Sequence, residues 1–353
     1  MKNFLERLID SALIRNFFDA LSHKNIPATR KTFWYFFGGL TLFFCVIQGI
    51  SGGLLLIYYS PTPQTAHESI QSILTTVPYG WLIRSIHVWS AHLLITSLFI
   101  HFGAGFFMSA YRTPRESVWI SGILLLFLIL GFAFTGSLLP WDARAYFATQ
   151  IGTEIPRSFP VLGPFVVRLL RGTSLIGAES LKRLFALHVT ILPVISILLI
   201  LFHLIVNHKH GPSIADTADG RNAKQIPFFP EFLLRDCIAW LTGLGILLVL
   251  ALNLPPLVGA KADPFVSAPA GIKPEWYFFP LYITLRMLPG AIMGLNTETL
   301  INILVAALGF AFLLTPFTSH SSADRGGISF TKIAGAGILL YLLGTTIIGW
   351  ILY

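Results

Sequence analysis

The sequence predicts an all-α integral membrane protein with about seven transmembrane helices. Of its 353 residues, 54% are hydrophobic and only 11% are charged, whereas soluble domains carry about 25% charged residues. Apolar runs close to the roughly 20 residues that cross a bilayer as a helix recur along the chain. They lie near residues 33–59, 81–108, 118–139, 181–207, 233–254, 298–317 and 330–352.

The charged residues predict the orientation of these spans. The net charge of +8 is scattered between apolar runs, which argues against a nucleic-acid surface and for positive residues that flank spans. The larger share of the 24 lysines and arginines falls on the side of the N-terminus, so we expect that side to be cytoplasmic. Residues 1–30 predict an amphipathic helix on the membrane surface. A solvated leader that packs on a partner is the alternative.

Two long connections lie on the side opposite the N-terminus. They cover residues 139–180 and 253–297, and both are rich in proline, glycine and aromatic residues. Long loops of this kind are more often functional covers than linkers. Because both lie on one face, we expect a shared pocket beneath them.

Two histidine pairs in two spans are the strongest functional signal. The second span holds His87 and His101, 14 residues apart, and the fourth holds His188 and His203, 15 residues apart. At about 100° and 1.5 Å per residue, a step of 14 returns to within roughly 40° of the same helix face and rises about 21 Å. The step of 15 overshoots by about 60°, and we expect a local kink at Pro193 to absorb the difference.

These pairs predict two haems stacked through the membrane. The second and fourth spans run parallel because one span separates them, so His87 faces His188 and His101 faces His203. Two facing neutral imidazoles are the axial ligands of a six-coordinate haem iron, which favours electron transfer. The alternative is a set of bundle histidines that bond across helices, and we assign that role to His92.

Glycines repeat at the same spacing. The first span has Gly38 and Gly52, and the third has Gly122 and Gly136, each pair 14 residues apart. A macrocycle needs flanking helices that present bare backbone, whereas close helix packing explains single glycines better than four at the histidine period. Arg84, one turn before the first histidine, is placed to pair with a haem propionate, and a snorkelling arginine is the alternative.

Three short motifs complete the pattern: RSIH at 84–87, LPWD at 139–142 and PEWY at 274–277. With the histidine and glycine pairs, they make the chain resemble cytochrome b/b6 of the quinol-oxidising cytochrome bc complexes. The resemblance implies a four-helix haem-binding bundle followed by three C-terminal helices. It also implies two non-covalent haem b groups with iron, and quinol and quinone as substrates.

The resemblance implies roles for the residues of the second long loop. Glu275, Trp276 and Tyr277 would line a quinol oxidation pocket, where Glu275 accepts a quinol proton and Tyr282 completes the wall. The chemistry agrees, because a carboxyl group near an apolar pocket can act as the base for a phenolic proton. The alternative is that Glu275 only caps a short helix after Pro274.

The resemblance also implies an inner quinone site formed by His208, Arg235 and Asp236. An imidazole, a guanidinium and a carboxylate suit a quinone carbonyl and the delivery of its protons. Mitochondrial-type relatives usually have lysine at the position of Arg235. Chloroplast-type relatives have cysteine at the position of Phe36, so we expect no covalent third haem here. The chain looks like a bacterial form that mixes features of both branches.

Partners, location and domain limits follow as expectations. The resemblance implies a Rieske-type iron–sulfur protein, a c-type cytochrome and a homodimer of the complex in the bacterial inner membrane, with no nucleic acid. We divide the chain into a surface helix (1–30), a four-helix di-haem domain (31–210), a cytoplasmic connection (211–232) and a three-helix domain with the quinol-site loop (233–353).

Two other function classes compete with an oxidoreductase subunit. A haem-containing membrane anchor of a quinone-linked dehydrogenase would have no need of the PEWY motif and its covering loop. A proton-coupled transporter could use intramembrane His, Glu and Asp as a relay. It predicts discontinuous helices and inverted halves, and it leaves the histidine spacing unexplained.

Overall fold

The computed structural model describes residues 25–213, 222–318 and 330–352 of the chain. The predicted surface helix at 1–30 lies almost wholly outside the described residues, as does part of the predicted connection at 211–232. The described chain is mostly helical, which confirms the all-α class.

Seven helices of the described chain are long and apolar enough to cross a membrane, as predicted. Large apolar side chains such as Ile205 and Leu340 are exposed on their outer surfaces, which suits contact with lipid. The protein is therefore a multi-pass membrane protein. The spans are Arg30–Leu56, Gly80–Phe107, Glu116–Ser137, Ala178–His210, Phe228–Asn253, Thr297–Thr318 and Thr331–Leu352.

We number the regular elements in chain order. The helices of the spans are α1 (Phe36–Leu56), α3 (Gly80–Phe107), α4 (Glu116–Ser137), α8 (Leu192–His210), α9 (Leu233–Asn253), α11 (Thr297–Thr318) and α12 (Phe330–Leu352). Shorter helices are α2 (Ala66–Thr75), α5 (Ala143–Glu154), α6 (Leu162–Arg171), α7 (Ala178–Ala186) and α10 (Phe279–Met287). Two antiparallel strand pairs join β1 (Asn25–Pro27) to β2 (Gln225–Pro227) and β3 (Ala291–Ile292) to β4 (Leu295–Asn296).

The fourth span contains the distortion that the sequence predicts near Pro193. Helix α7 continues into a π-helical turn at Leu187–Ile191, and α8 follows directly. Proline lacks an N–H group, and its ring clashes with the carbonyl four residues earlier in a regular α-helix. A π-helical turn is wider by one residue. A step of 15 residues through this turn therefore reaches the face that a regular helix reaches after 14.

The spans pack as a four-helix bundle with further helices around it. Helix α1 packs along α3, α4 packs along α8, and α3 also contacts α4. Helix α9 packs against both α1 and α3, with Leu247 and Phe44 in one buried cluster. Helix α11 packs on α4, and α10 packs on α12. The predicted boundary at residue 233 stays a prediction.

The two long loops meet on one face of the protein, which we call the loop face; we call the opposite face the far face. Asp142 joins the loops at their centre. Its carboxylate accepts from the N–H of Ala145 at 2.8 Å, which caps α5, and from the N–H of Gly259 at 3.0 Å. The backbone beside it pairs as well, because Ala143 N–H donates to the carbonyl of Ala260 at 2.9 Å.

Replacing Asp142 should therefore loosen the loop face. We expect Asp142→Ala to cost about 0.5–2 kcal/mol, because a helix cap is lost, and to lower the midpoint of thermal unfolding in detergent. Asp263→Ala is the matched control, since Asp263 is exposed and its carboxylate accepts from the N–H of Phe265, two residues away in the same loop. Equal midpoints for the two variants would contradict a joining role for Asp142.

Candidate functional site

His87 and His188 face each other across the bundle near the loop face. Their ring centroids are 6.5 Å apart, with the ring planes at 76°. A metal–imidazole bond is about 2 Å long, so two imidazoles that bind one metal from opposite sides hold their centroids about 6 Å apart. The observed separation suits one iron between the two rings.

His101 and His203 form a second pair, further from the loop face on the same two helices. His101 lies on α3 and His203 on α8. Within the described residues, no three His, Cys, Asp or Glu side chains gather into a metal-binding cluster. A pair of facing imidazoles suits the two axial positions of a haem iron, whose macrocycle supplies the other four ligands.

Each histidine ring packs against one of the four glycines that the sequence singles out. A methyl group added to any of the four would touch Cε1 of an imidazole, so the glycines determine where the rings lie. The distances from the added carbon are 2.9 Å from Gly38 to His101, 3.1 Å from Gly52 to His87, 3.4 Å from Gly122 to His203 and 2.7 Å from Gly136 to His188.

A hydroxyl side chain precedes three of these glycines and fixes the tautomer of the histidine. Ser51 Oγ lies 2.9 Å from Nδ1 of His87 and donates its own hydrogen to the carbonyl of Ile47 at 2.7 Å. Because a hydroxyl has one hydrogen, the oxygen must accept the Nδ1–H of the imidazole. The ring then presents a bare Nε2 to a metal. Ser121 is placed likewise beside His203, and Thr135 beside His188.

The PEWY segment lies on the loop face, where its side chains contact His92 and Arg144. The indole of Trp276 donates to Nδ1 of His92 at 3.2 Å. Burial, with a smaller effect of the Glu275 carboxylate, raises the pKa of the Tyr277 phenol well above its usual value. The phenol therefore stays neutral. Glu275 is partly exposed and pairs with Arg144 of α5 at 3.5 Å.

Tyr282 and Arg84 bind the backbone of the second long loop. The hydroxyl of Tyr282 donates to the carbonyl of Ile272 at 3.2 Å and accepts from Nη1 of Arg286 at 2.9 Å. Arg84 is buried and donates from Nη1 to the carbonyl of Pro256 at 2.6 Å. It does not extend to solvent in the way that a snorkelling arginine does.

The three residues predicted for an inner quinone site lie at the far face, His208 at the end of α8 and Arg235 and Asp236 at the start of α9. The carboxylate of Asp236 packs against Gly39 of α1, and its Oδ1 is buried without a hydrogen-bond partner in the described part of the chain. Arg235 pairs with Glu231 at 2.6 Å. His208 is exposed in the last turn of α8.

A cavity of about 400 Å³ opens beside Arg235, one of these three residues. Arg30 and Arg235 lie at its wall together with Phe36 and Phe232. The rings of Phe36 and Phe232 stack with centroids 5.2 Å apart. The space next to Phe36 is thus bounded by aromatic and cationic side chains.

Comparison with known proteins identifies the family. The model described as cytochrome b/b6/petB matches residues 22–211, and the model described as cytochrome b(C-terminal)/b6/petD matches residues 261–351. A cytochrome bc complex cytochrome b subunit from Chlorobaculum thiosulfatiphilum is 44% identical over 330 residues, which is 93% of this chain and 76% of that protein. The chain belongs to the cytochrome b/b6 family.

Two further similarities agree with the cytochrome b fold. A menaquinol:cytochrome c reductase cytochrome b subunit from Bacillus subtilis is 43% identical over 192 residues, covering 54% of this chain and 86% of that protein. A chain of a hyperthermophilic respiratory Complex III superposes with a TM-score of 0.85 and 29% identity, covering 98% of this chain and 91% of that chain.

The cytochrome b family binds haem b, and the residues of this chain fit such a group. The imidazoles of His87 and His188 stand at a separation that suits one iron. A hydroxyl oxygen lies beside Nδ1 of three of the four histidines, and bare glycine backbone lies behind each ring. The chain therefore binds haem b as an integral part of a cytochrome bc complex.

The sequence did not point to the hydroxyls beside the histidines or to the arginine beside Glu275. Ser51, Ser121 and Thr135 each directly precede a glycine of the repeat, and that dipeptide was the available signal. Arg144 lies two residues after the LPWD motif, but its contact with Glu275 depends on how two distant loops pack. His92, assigned to bonding across helices, bonds Trp276 of the loop instead.

The glycine contacts predict a selective loss of haem. We expect Gly136→Ala to lower the haem content, since the added methyl group would displace the His188 ring. If His188 binds one of two haems, up to about half of the haem per chain would be lost. Gly53→Ala in α1 is the matched control, because no described residue outside the adjacent backbone of α1 comes within 4 Å of the added carbon. Haem per chain is measured as the pyridine haemochrome. The same haem content in both variants would contradict the role of the glycine.

Proposed function

We propose that this chain is the di-haem, quinol-oxidising subunit of a quinol:cytochrome c oxidoreductase. The observation that carries the proposal is the set of two imidazole pairs at two depths of the same helices. One pair lies near the loop face and the other about 21 Å further along the helix axes. Two such sites span most of a bilayer core of roughly 30 Å. A haem-containing anchor of a dehydrogenase would not need the PEWY segment and its covering loop.

The two haem b sites are assigned to the two pairs. His87 and His188 hold the haem near the loop face, and His101 and His203 hold the other. When bound, the two haems supply one-electron transfer across the membrane. Glycine contacts and hydroxyl oxygens hold the histidine rings in place. The rings therefore move little when the charge of a bound haem changes. Phe36 provides no thiol for a covalent third haem.

The loop face is assigned as the quinol oxidation site. Glu275 acts as the base that takes a proton from the quinol hydroxyl. The neutral phenol of Tyr277 acts as a hydrogen-bond donor, while Trp276 and Tyr282 hold the segment through His92 and the Ile272 carbonyl. Menaquinol:cytochrome c reductase subunits from Bacillus subtilis and Geobacillus thermodenitrificans are 43% and 40% identical to this chain, which supports menaquinol as the substrate.

The far face is assigned as the quinone reduction site. Oδ1 of Asp236, which is buried and has no hydrogen-bond partner among the described residues, is available to hold or deliver a proton. Arg235 and His208 supply a cation and a second proton carrier at the same face. Proton uptake there and release at the loop face would contribute to a transmembrane proton gradient.

We also propose the proteins with which the chain assembles. A Rieske-type iron–sulfur protein and a c-type cytochrome accept the electrons that leave the loop face, and the complex is a homodimer. The loop face is then the outer side of a bacterial inner membrane, with the N-terminus in the cytoplasm, as the distribution of lysine and arginine supports.

A neutral side chain at position 275 tests the proposal. We expect Glu275→Gln to lower quinol:cytochrome c turnover at least tenfold, since general-base catalysis contributes about 10²–10⁴-fold. The haem spectrum should be unchanged. Glu298→Gln, an exposed substitution in the first turn of α11, is the control. Turnover at the wild-type rate in Glu275→Gln would remove Glu275 from the mechanism.

A further inference from the structure

Arg144 is held in place by the joint between the two long loops. It is the second residue of α5, whose first turn is capped by Asp142. The preceding residue, Ala143, donates to the backbone of Ala260 in the other loop. The position of the Arg144 backbone is therefore tied to the loop that carries Glu275.

The guanidinium of Arg144 pairs with the carboxylate of Glu275. Nη2 lies 3.5 Å from Oε1, and the side chains are 65% and 38% exposed. An exposed pair at this distance adds little to the stability of a protein. Its effect is therefore on where the carboxylate lies and which way it faces.

The residues that follow Glu275 are held by other contacts. Trp276 bonds His92 of α3, and the N–H of Phe278 donates to the carbonyl of Glu275 at 2.9 Å. The backbone at Glu275 is thus anchored to the bundle, while its carboxylate turns towards Arg144 and the exposed surface of the loop face.

The geometry points to Arg144 as a positioning residue for Glu275, which holds the carboxylate at the boundary between the quinol pocket and water. This inference rests on the proposed function. A quinol hydroxyl gives its proton to Oε1 or Oε2 of Glu275, and the electrons leave to the acceptors of the complex. The guanidinium attracts the carboxylate only in its charged form, so it favours transfer of the proton onward to water and restores the base.

A double-mutant cycle of Arg144→Met and Glu275→Gln tests this inference on the assembled complex. We expect Arg144→Met to lower kcat several-fold with little change in KM, and Arg144→Lys to restore most of the rate. In the Glu275→Gln background, Arg144→Met should cause no further loss, because the two residues act as a unit. Arg157→Met is the matched control, since Arg157 lies on the same loop but pairs with Glu154.

The outcomes separate the two proposals. If Glu275→Gln is slow but Arg144→Met is as fast as wild type, the positioning role is wrong and the proposed function stands. A further loss from Arg144→Met in the Glu275→Gln background would equally overturn it, because Arg144 would then act elsewhere. If Glu275→Gln is itself as fast as wild type, the proposed role of Glu275 is wrong, and the positioning role of Arg144 is wrong with it. If Arg144→Met does not retain haem, Arg144→Gln takes its place in the same cycle.

Discussion

The distance between two imidazoles facing one another is the constraint on which the rest of the structure depends. For His87 and His188 to share one iron, α3 and α8 must run parallel at a separation set by two rings and one metal. The helices behind them, α1 and α4, must then approach the rings closely, which requires glycine at the points of contact. Because the helices lie so close to the rings, the hydroxyls that precede three of those glycines can hydrogen-bond to Nδ1 of the histidines.

The loop face depends on this arrangement in turn. The bundle brings the ends of α4 and α9 to one face, so the two long loops meet there and Asp142 can join them. The joint places Arg144 beside Glu275, while His92 of α3 receives the indole of Trp276. Groups suited to proton transfer are thereby held at the end of the bundle where one imidazole pair lies. Proton and electron chemistry can then proceed side by side.

Much of this follows from the sequence because its determinants are local. Length and hydropathy predict seven spans, and helical period predicts which histidines share a face. Pro193 predicts a distortion, which takes the form of a π-helical turn. The contacts of Ser51, Arg144 and His92 depend on the packing of segments distant in sequence, and no local period encodes them. The far face is similar, since Asp236 meets Gly39 only through the packing of α9 on α1.

The number of haems per chain shows whether both histidine pairs bind iron. The account predicts two non-covalent b-type haems, measured as the pyridine haemochrome and as the dithionite-reduced minus oxidised spectrum of the purified complex. Replacing His101 with leucine should remove the haem of the far pair and leave that of His87 and His188 in place. A single haem per chain in the wild-type protein, or the same haem content after that replacement, would contradict the account.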